Sequence, residues 1–312
     1  MLREADGSDL ARPVLLLTGA TGLVGSALLR RLTAAGQPVR CLVRDPRRLG
    51  AERVRVQIAL GDLADPPSFR NAMRGVRTVV HLAAAIRDQR LGSIEELNGI
   101  ATWRMVQAAE RAGVERFVFF SALEASPYNR TRFLRSKALA EAAVRDSGLP
   151  STIFAPSLIY APGDPWLGLL ERLSLLPVMP MSGRGRALFQ PIWAEDVADC
   201  VAGALSDGAG VGSADGARRF ELAGPDTLSH RQLLELALRS FGRQRPILPV
   251  PTPIVSRALR AVEAVADGRA FATWDEAELM EVSMTAGSGP RDAQALGVSP
   301  QAMAAVLGAQ GS

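Results

Sequence analysis

Val14-Leu15-Leu16-Leu17-Thr18-Gly19-Ala20-Thr21-Gly22-Leu23-Val24-Gly25 decides the fold. Four apolar residues run into a glycine-studded turn, and a helical pattern, Ser26 to Ala35, follows at once. An unbroken apolar run of this kind reads as a strand buried on both faces. Each glycine has its own task. Gly19 permits the tight turn, Gly22 lets the backbone approach a pyrophosphate, and Gly25 lets helix and sheet pack closely. Bare N–H groups at the helix start, with the positive end of its dipole, would hold phosphate oxygens. Thr21, Leu23 and Val24 fall in the same cradle. The spacing is G-x-x-G-x-x-G. Its setting between a buried strand and a helix makes it a dinucleotide-binding signal and not a plain turn.

Outward from this stretch, strand and helix signals alternate. Val39 to Val43, Val54 to Ala59, Val76 to Ala83, Phe117 to Ser121 and Ser151 to Ala155 read as strands. Ser93 with Glu96 forms a capping box that opens a helix to about Ala112, and Thr131 to Asp146 reads as another. Strands separated by helices imply right-handed crossovers, and so an α/β, Rossmann-type doubly wound parallel sheet. After Pro156, closely spaced prolines cut the chain into short pieces, with helices at Asp196 to Leu205 and Ser229 to Phe241. The expected division is a disordered tail over 1–13, a dinucleotide-binding domain over 14–155 to which later segments return, and a smaller, mostly helical lobe over 156–312. That lobe would lie over the carboxyl ends of the strands, where such a sheet binds its ligand. Pro253 to Asp267 and Ser299 to Leu307 read as amphipathic helices.

Composition sets the outer bounds. The 312 residues are 47% hydrophobic, ample for a large core. Lys and Arg number 36 against 32 Asp and Glu, with no dense basic run, so nothing supports nucleic-acid binding. Cys41 and Cys200 fall inside a strand and a helix, as small core hydrophobes, which implies a reducing compartment. No apolar run reaches the roughly 18 residues of a membrane helix. Residues 1–13 carry no signal-peptide-like segment. The expectation is a soluble, cytoplasmic protein.

The second strand selects the cofactor. An acidic residue at its end would accept from a ribose 2′-hydroxyl and favour NAD(H). Val43 stands there, followed by Arg44, whose guanidinium pairs with a 2′-phosphate; Arg47 and Arg48 come next. NADP(H) is therefore expected over NAD(H). Asp62 and Leu63, after the third strand, would meet the adenine, unless Asp62 only closes a surface turn. His81 invites a catalytic role but fits a packed core histidine better. Ala83 and Ala84 are small enough for a flat cofactor to lie against the strand end.

Taken in order, Thr18 to Gly25, Gly61-Asp62-Leu63, His81-Leu82-Ala83-Ala84, Asn98 with Ala101-Thr102, Lys137, Pro156-Ser157 and Glu195-Asp196-Val197-Ala198 resemble an extended or atypical short-chain dehydrogenase/reductase. Arg132-Phe133-Leu134-Arg135-Ser136-Lys137-Ala138 is most similar to the branch containing the NADPH-binding accessory subunit of respiratory complex I. Nitrogen-metabolite-repressor-like redox sensors are the next relatives. The resemblance implies a bound nicotinamide dinucleotide, with Lys137 on the nicotinamide ribose and Pro156 beside the cofactor. Active members carry Tyr-x-x-x-Lys, the tyrosine acting as acid/base. Phe133 occupies that place here. The family's Ser or Thr after the fifth strand falls at Ala122, with Ser121 one place earlier, and Tyr128 lies in a loop just upstream of the helix. Ser121, Tyr128 and Lys137 are the remaining catalytic candidates.

Nucleotide-sugar enzymes of the family usually place an Arg where this chain has Phe189, although Arg184 and Arg186 lie nearby. The apolar segment Trp166 to Met179 reads as a lid over an apolar ligand, as a docking face for a partner or membrane, or as packing within its own lobe. Three functions compete. The first is a low-turnover redox-cofactor-binding protein with an assembly or sensor role, compatible with complex or peripheral membrane association. The second is an NADPH-dependent oxidoreductase on a small apolar carbonyl or quinone-like substrate. The third, a nucleotide-sugar epimerase or dehydratase, needs the missing Tyr and Arg.

Overall fold

The computed structural model describes residues 13–89, 91–206, 217–257, 259 and 273–308. The tail over 1–12, and all but the start of the helix expected over Pro253 to Asp267, lie largely outside these residues. Seven parallel strands form the central sheet: β1 (Val14–Thr18), β2 (Val39–Val43), β3 (Gln57–Leu60), β4 (Val76–His81), β5 (Arg116–Phe120), β6 (Ser151–Pro156) and β7 (Arg218–Leu222). Their order is β7-β6-β5-β4-β1-β2-β3. The order reverses between β1 and β4, which opens a crevice at their carboxyl ends.

Alternation across β1 explains its unbroken apolar run. Leu15 and Leu17 face one core, with Leu28 of α1 (Leu23–Ala34) and Val197 and Val201 of a helix over Ala194–Ser206. Leu16 faces the opposite core, with Met105 of α2 (Ala101–Arg111) and Val144 of α3 (Arg132–Arg145). Both faces are covered, so neither needs polar residues. A third core joins Leu167 and Leu170 of α4 (Pro165–Leu173) to Leu233 and Leu234 of a helix over His230–Ser240. The second half is otherwise built of short helices and two-stranded pairs.

Three differences from the sequence reading stand out. The third strand starts at Gln57, because Pro46–Arg55 is wound into 3₁₀ turns capped by Asp45, which leaves Val54 exposed. The helix from the Ser93–Glu96 box opens with a π-helical turn, Glu96–Ile100. The seventh strand was not expected. It comes from the second half of the chain and pairs with β6 in register Phe220 to Phe154. No helix among the described residues is long and apolar enough to cross a membrane.

Candidate dinucleotide and substrate cleft

The glycine turn is built by exclusion of side chains. Gly19 has φ +73°, and a Cβ there would stand 2.7 Å from the Ala83 nitrogen, so the turn presses on the end of β4. At Gly25 a Cβ would stand 2.0 Å from the Gly19 carbonyl oxygen. The helix thus packs on its own turn. Gly22 is the N-cap of α1, in extended conformation, and supplies no side-chain cap. The first-turn N–H groups have no intrahelical acceptor and no acidic neighbour in that turn. These residues fit a dinucleotide's pyrophosphate.

Two adjoining cavities share Gly19, Gly22, Leu82 and Ala84 as walls. The first, about 290 Å³, is lined by Thr21, Ala83, Arg44, Arg48, Asp62, Leu63 and Gln89. Arg44 donates to the Gln89 amide oxygen at 2.7 Å and lies 3.9 Å from Asp62. Asp62 also accepts from the Ala64 N–H, closing a turn. Arg47 points elsewhere and pairs with Asp45, and each holds the other in its charged form.

The second cavity, about 310 Å³, is apolar and brings Leu23, Val24, Gly25, Ser121, Lys137 and Pro156 together. Its polar centre is Lys137 on α3. The ammonium is buried, donates to the Phe120 carbonyl at 2.6 Å, and sits 5.0 Å and 5.8 Å from the ring centres of Phe119 and Phe133. Burial pulls its pKa down to about 7, with Glu141 one turn on opposing the shift. The i, i+4 spacing places Phe133 on the same helix face, also lining the cavity. Ser121 lines the wall, but its hydroxyl donates to Glu141 at 2.5 Å. Tyr128 is not brought to the cleft: its side chain is 94% exposed and lines neither cavity. Tyr160, the other tyrosine of the chain, is fully buried in the second-half core.

His81 is a core residue. It lies between Thr18 Oγ1, 2.7 Å from Nδ1, and Thr102 Oγ1, 3.0 Å from Nε2. Thr18 Oγ1 also accepts from the Ala83 N–H at 3.3 Å. Burial, with Lys137 nearby, lowers the His81 pKa to about 3. The ring ties β1, β4 and α2 together beneath the cleft. Asn98, in the π-helical turn, exchanges two hydrogen bonds with the Ala85 backbone and donates to Ser136 Oγ at 3.1 Å. It fastens the loop after β4 to the helix that carries Lys137.

One wall was missed in the sequence. Leu279, Met280 and Met284 close the apolar cavity. They belong to a strap that opens with helix Trp274–Leu279, capped by the Thr273–Glu276 box. Glu276 pairs with Arg87 at 2.6 Å, and Asp275 lies 3.5 Å from Arg132. Beyond the helix, Ser157 Oγ donates to the Met284 carbonyl, and Gln190 accepts from the Ala286 N–H. The capping box was the available signal. The apolar segment Trp166 to Met179, by contrast, lines neither cavity of the cleft. Leu167 and Leu170 pack within their own lobe, and Leu175 and Leu176 are exposed. Phe189 lines the apolar cavity, whereas Arg184 and Arg186 do not. Among the described residues no His, Cys, Asp and Glu cluster could hold a metal ion.

Fold and cleft define a nicotinamide-dinucleotide-binding protein of the doubly wound class. Residues 19–176 match the NAD(P)H-binding family, and the chain belongs to it. The curated proteins it resembles include complex I accessory subunits, at 26–30% identity. It is 30% identical over 262 residues to the NADH dehydrogenase [ubiquinone] 1 alpha subcomplex subunit 9 of Arabidopsis thaliana, covering 79% of this chain and 62% of that protein. It is 34% identical over 173 residues to the ceramide reductase of Caulobacter vibrioides, covering 55% and 54%. The chain thus spans between half and two thirds of these relatives' own lengths. A nucleoside-diphosphate-sugar epimerase structure from Staphylococcus aureus shares the fold, with TM-score 0.72, 19% identity and coverage of 94% and 99%.

Proposed function

We propose that this chain is an NADP(H)-binding, low-turnover member of its superfamily, holding the cofactor in an accessory, assembly or redox-sensing role. The carrying observation is the wall around Lys137. Phe133 stands where active relatives keep a phenol, and neither of the chain's two tyrosines lines the cleft. A nicotinamide held in the cleft would supply hydride. Reduction of a carbonyl also requires a proton at oxygen, and a positioned acid is worth about 10²–10⁴-fold in rate. Ser121 is committed to Glu141, so it offers no ready substitute. In this reading Lys137 grips the ribose hydroxyls and Pro156 backs the nicotinamide. The glycine turn cradles the pyrophosphate, and Arg44 with Arg48 meets the 2′-phosphate. An accessory role agrees with the relative that is a subunit of an NADH dehydrogenase.

A second reading, an NADPH-dependent oxidoreductase on an apolar carbonyl or quinone-like acceptor, draws on the apolar wall of Phe120, Phe189, Met280 and Met284. Orientation beside the cofactor alone gives some rate. Phe133→Tyr separates the two. With saturating NADPH and a panel of aldehydes, ketones and quinones, the native chain turns over below roughly 1 s⁻¹, the low end for ordinary enzymes. The variant gains about 10²-fold or more on at least one carbonyl. Native turnover above that rate decides for the second reading. Parallel titrations give tighter binding of NADPH than NADH; the reverse order removes the cofactor assignment.

A further inference from the structure

A second cavity system abuts the cleft. Its volume is about 680 Å³, and Met280 forms a wall of both it and the apolar cavity beside Lys137. Its outer wall is the turn Gly183-Arg184-Gly185-Arg186, in which both glycines take positive φ, +66° and +67°. The two arginines are exposed, and neither is paired with a carboxylate among the described residues. Glu281 is the acidic group in the wall. It accepts from Thr252 Oγ1 at 2.5 Å, lies 3.8 Å from the Arg130 guanidinium and rests against Gly183. The wall therefore carries two guanidinium groups against one carboxylate, which has Arg130 as a further cationic neighbour. Across Met280 the wall turns apolar, with Phe133, Phe189 and Met284.

We propose that the two cavities together bind one small anionic amphiphile. Its phosphate or carboxylate head pairs with Arg184 and Arg186, and its apolar body passes Met280 toward the nicotinamide end of the cleft. Paired guanidinium groups match such a head in charge and in fork geometry. Cationic residues outside and apolar residues inside match the two ends of such a molecule. The direction of the apolar body rests on the cofactor reading above; capture of the head does not.

Calorimetry on NADPH-saturated protein tests this with octyl phosphate, octanol and inorganic phosphate. Octyl phosphate binds at least tenfold more tightly than octanol or inorganic phosphate. Affinity rises roughly threefold to fourfold per methylene from butyl to octyl phosphate, as buried CH₂ groups require. Arg184→Ala with Arg186→Ala loses tenfold or more for octyl phosphate and leaves NADPH affinity unchanged. Met280→Trp, which fills the passage, flattens the chain-length series. Equal binding of octyl phosphate and octanol, or a double variant that binds like the native chain, overturns the proposal. So does cosedimentation with phosphatidic-acid vesicles in the absence of octyl phosphate binding, since that assigns the arginines to a membrane surface. NADPH titration of the same preparation keeps the two readings apart. Normal NADPH affinity without alkyl phosphate binding removes only the amphiphile, whereas lost NADPH affinity removes the cofactor reading.

Discussion

Lys137, His81 and His230 are ionisable groups that the fold holds in apolar surroundings. Burial lowers the pKa of His81 to about 3 and of His230 to about 4, against 6.5 in the open chain. Between those values the unfolded chain binds more protons than the folded one. Stability from these two groups is therefore complete above about pH 6.5 and falls as pH drops, by up to about 1.4 kcal/mol per unit for each ring. Lys137 works in a higher window. Its pKa is about 7 folded and 10.5 unfolded, so its burial costs less as pH climbs through that interval. Urea midpoints at pH 4.5, 6, 7.5 and 9 read both effects. Lys137→Met removes the upper slope, and an unchanged midpoint from pH 4.5 to 7.5 contradicts neutral buried histidines. The burial of His81 was legible from its place at a strand end. The partner of Ser121 was not, because Glu141 meets it only when α3 packs on β5.

At the scale of elements, the strand, turn and helix at the head of the chain were readable because each obeys a local period or a steric rule. Gly25 was expected to admit close helix–sheet packing; its closest neighbour is the Gly19 carbonyl of its own turn. Backbone cannot swing aside as a side chain can. Gly25→Ala is expected to cost roughly 1–3 kcal/mol, the range for overpacking, and to weaken NADPH binding at least tenfold. Gly148→Ala, where an added Cβ meets nothing within 4 Å, is the control and leaves both unchanged. Thermal melts and cofactor titrations of the two variants make the comparison; equal behaviour would rule out the tight turn. The strap was not readable. Past Leu279 it is irregular chain, placed by Ser157, Gln190 and Leu188 from distant segments, and no periodicity announces such a path.

At the scale of the whole molecule, the sheet draws on both halves of the sequence. β7 covers β6, Phe220 stacks on Phe154 at 5.6 Å between ring centres, and Arg31 of α1 pairs with Glu195 and Asp199 of helix Ala194–Ser206. A chain ended at Ser206 lacks β7 and leaves the β6 edge bare. It is expected to lose the cooperative melt seen by circular dichroism in the full chain; a sharp transition would show that the first six strands suffice. β7 escaped the sequence reading because Arg218 and Arg219 open it and only Phe220 and Leu222 turn inward, too short a pattern to separate from loop. Its late position has a consequence for biosynthesis. On the ribosome, the glycine turn between β1 and α1 emerges first, yet one flank of its sheet waits for residues made much later. The nascent chain carries an open pairing edge throughout that interval, so chaperones that shield such edges have their longest opportunity there.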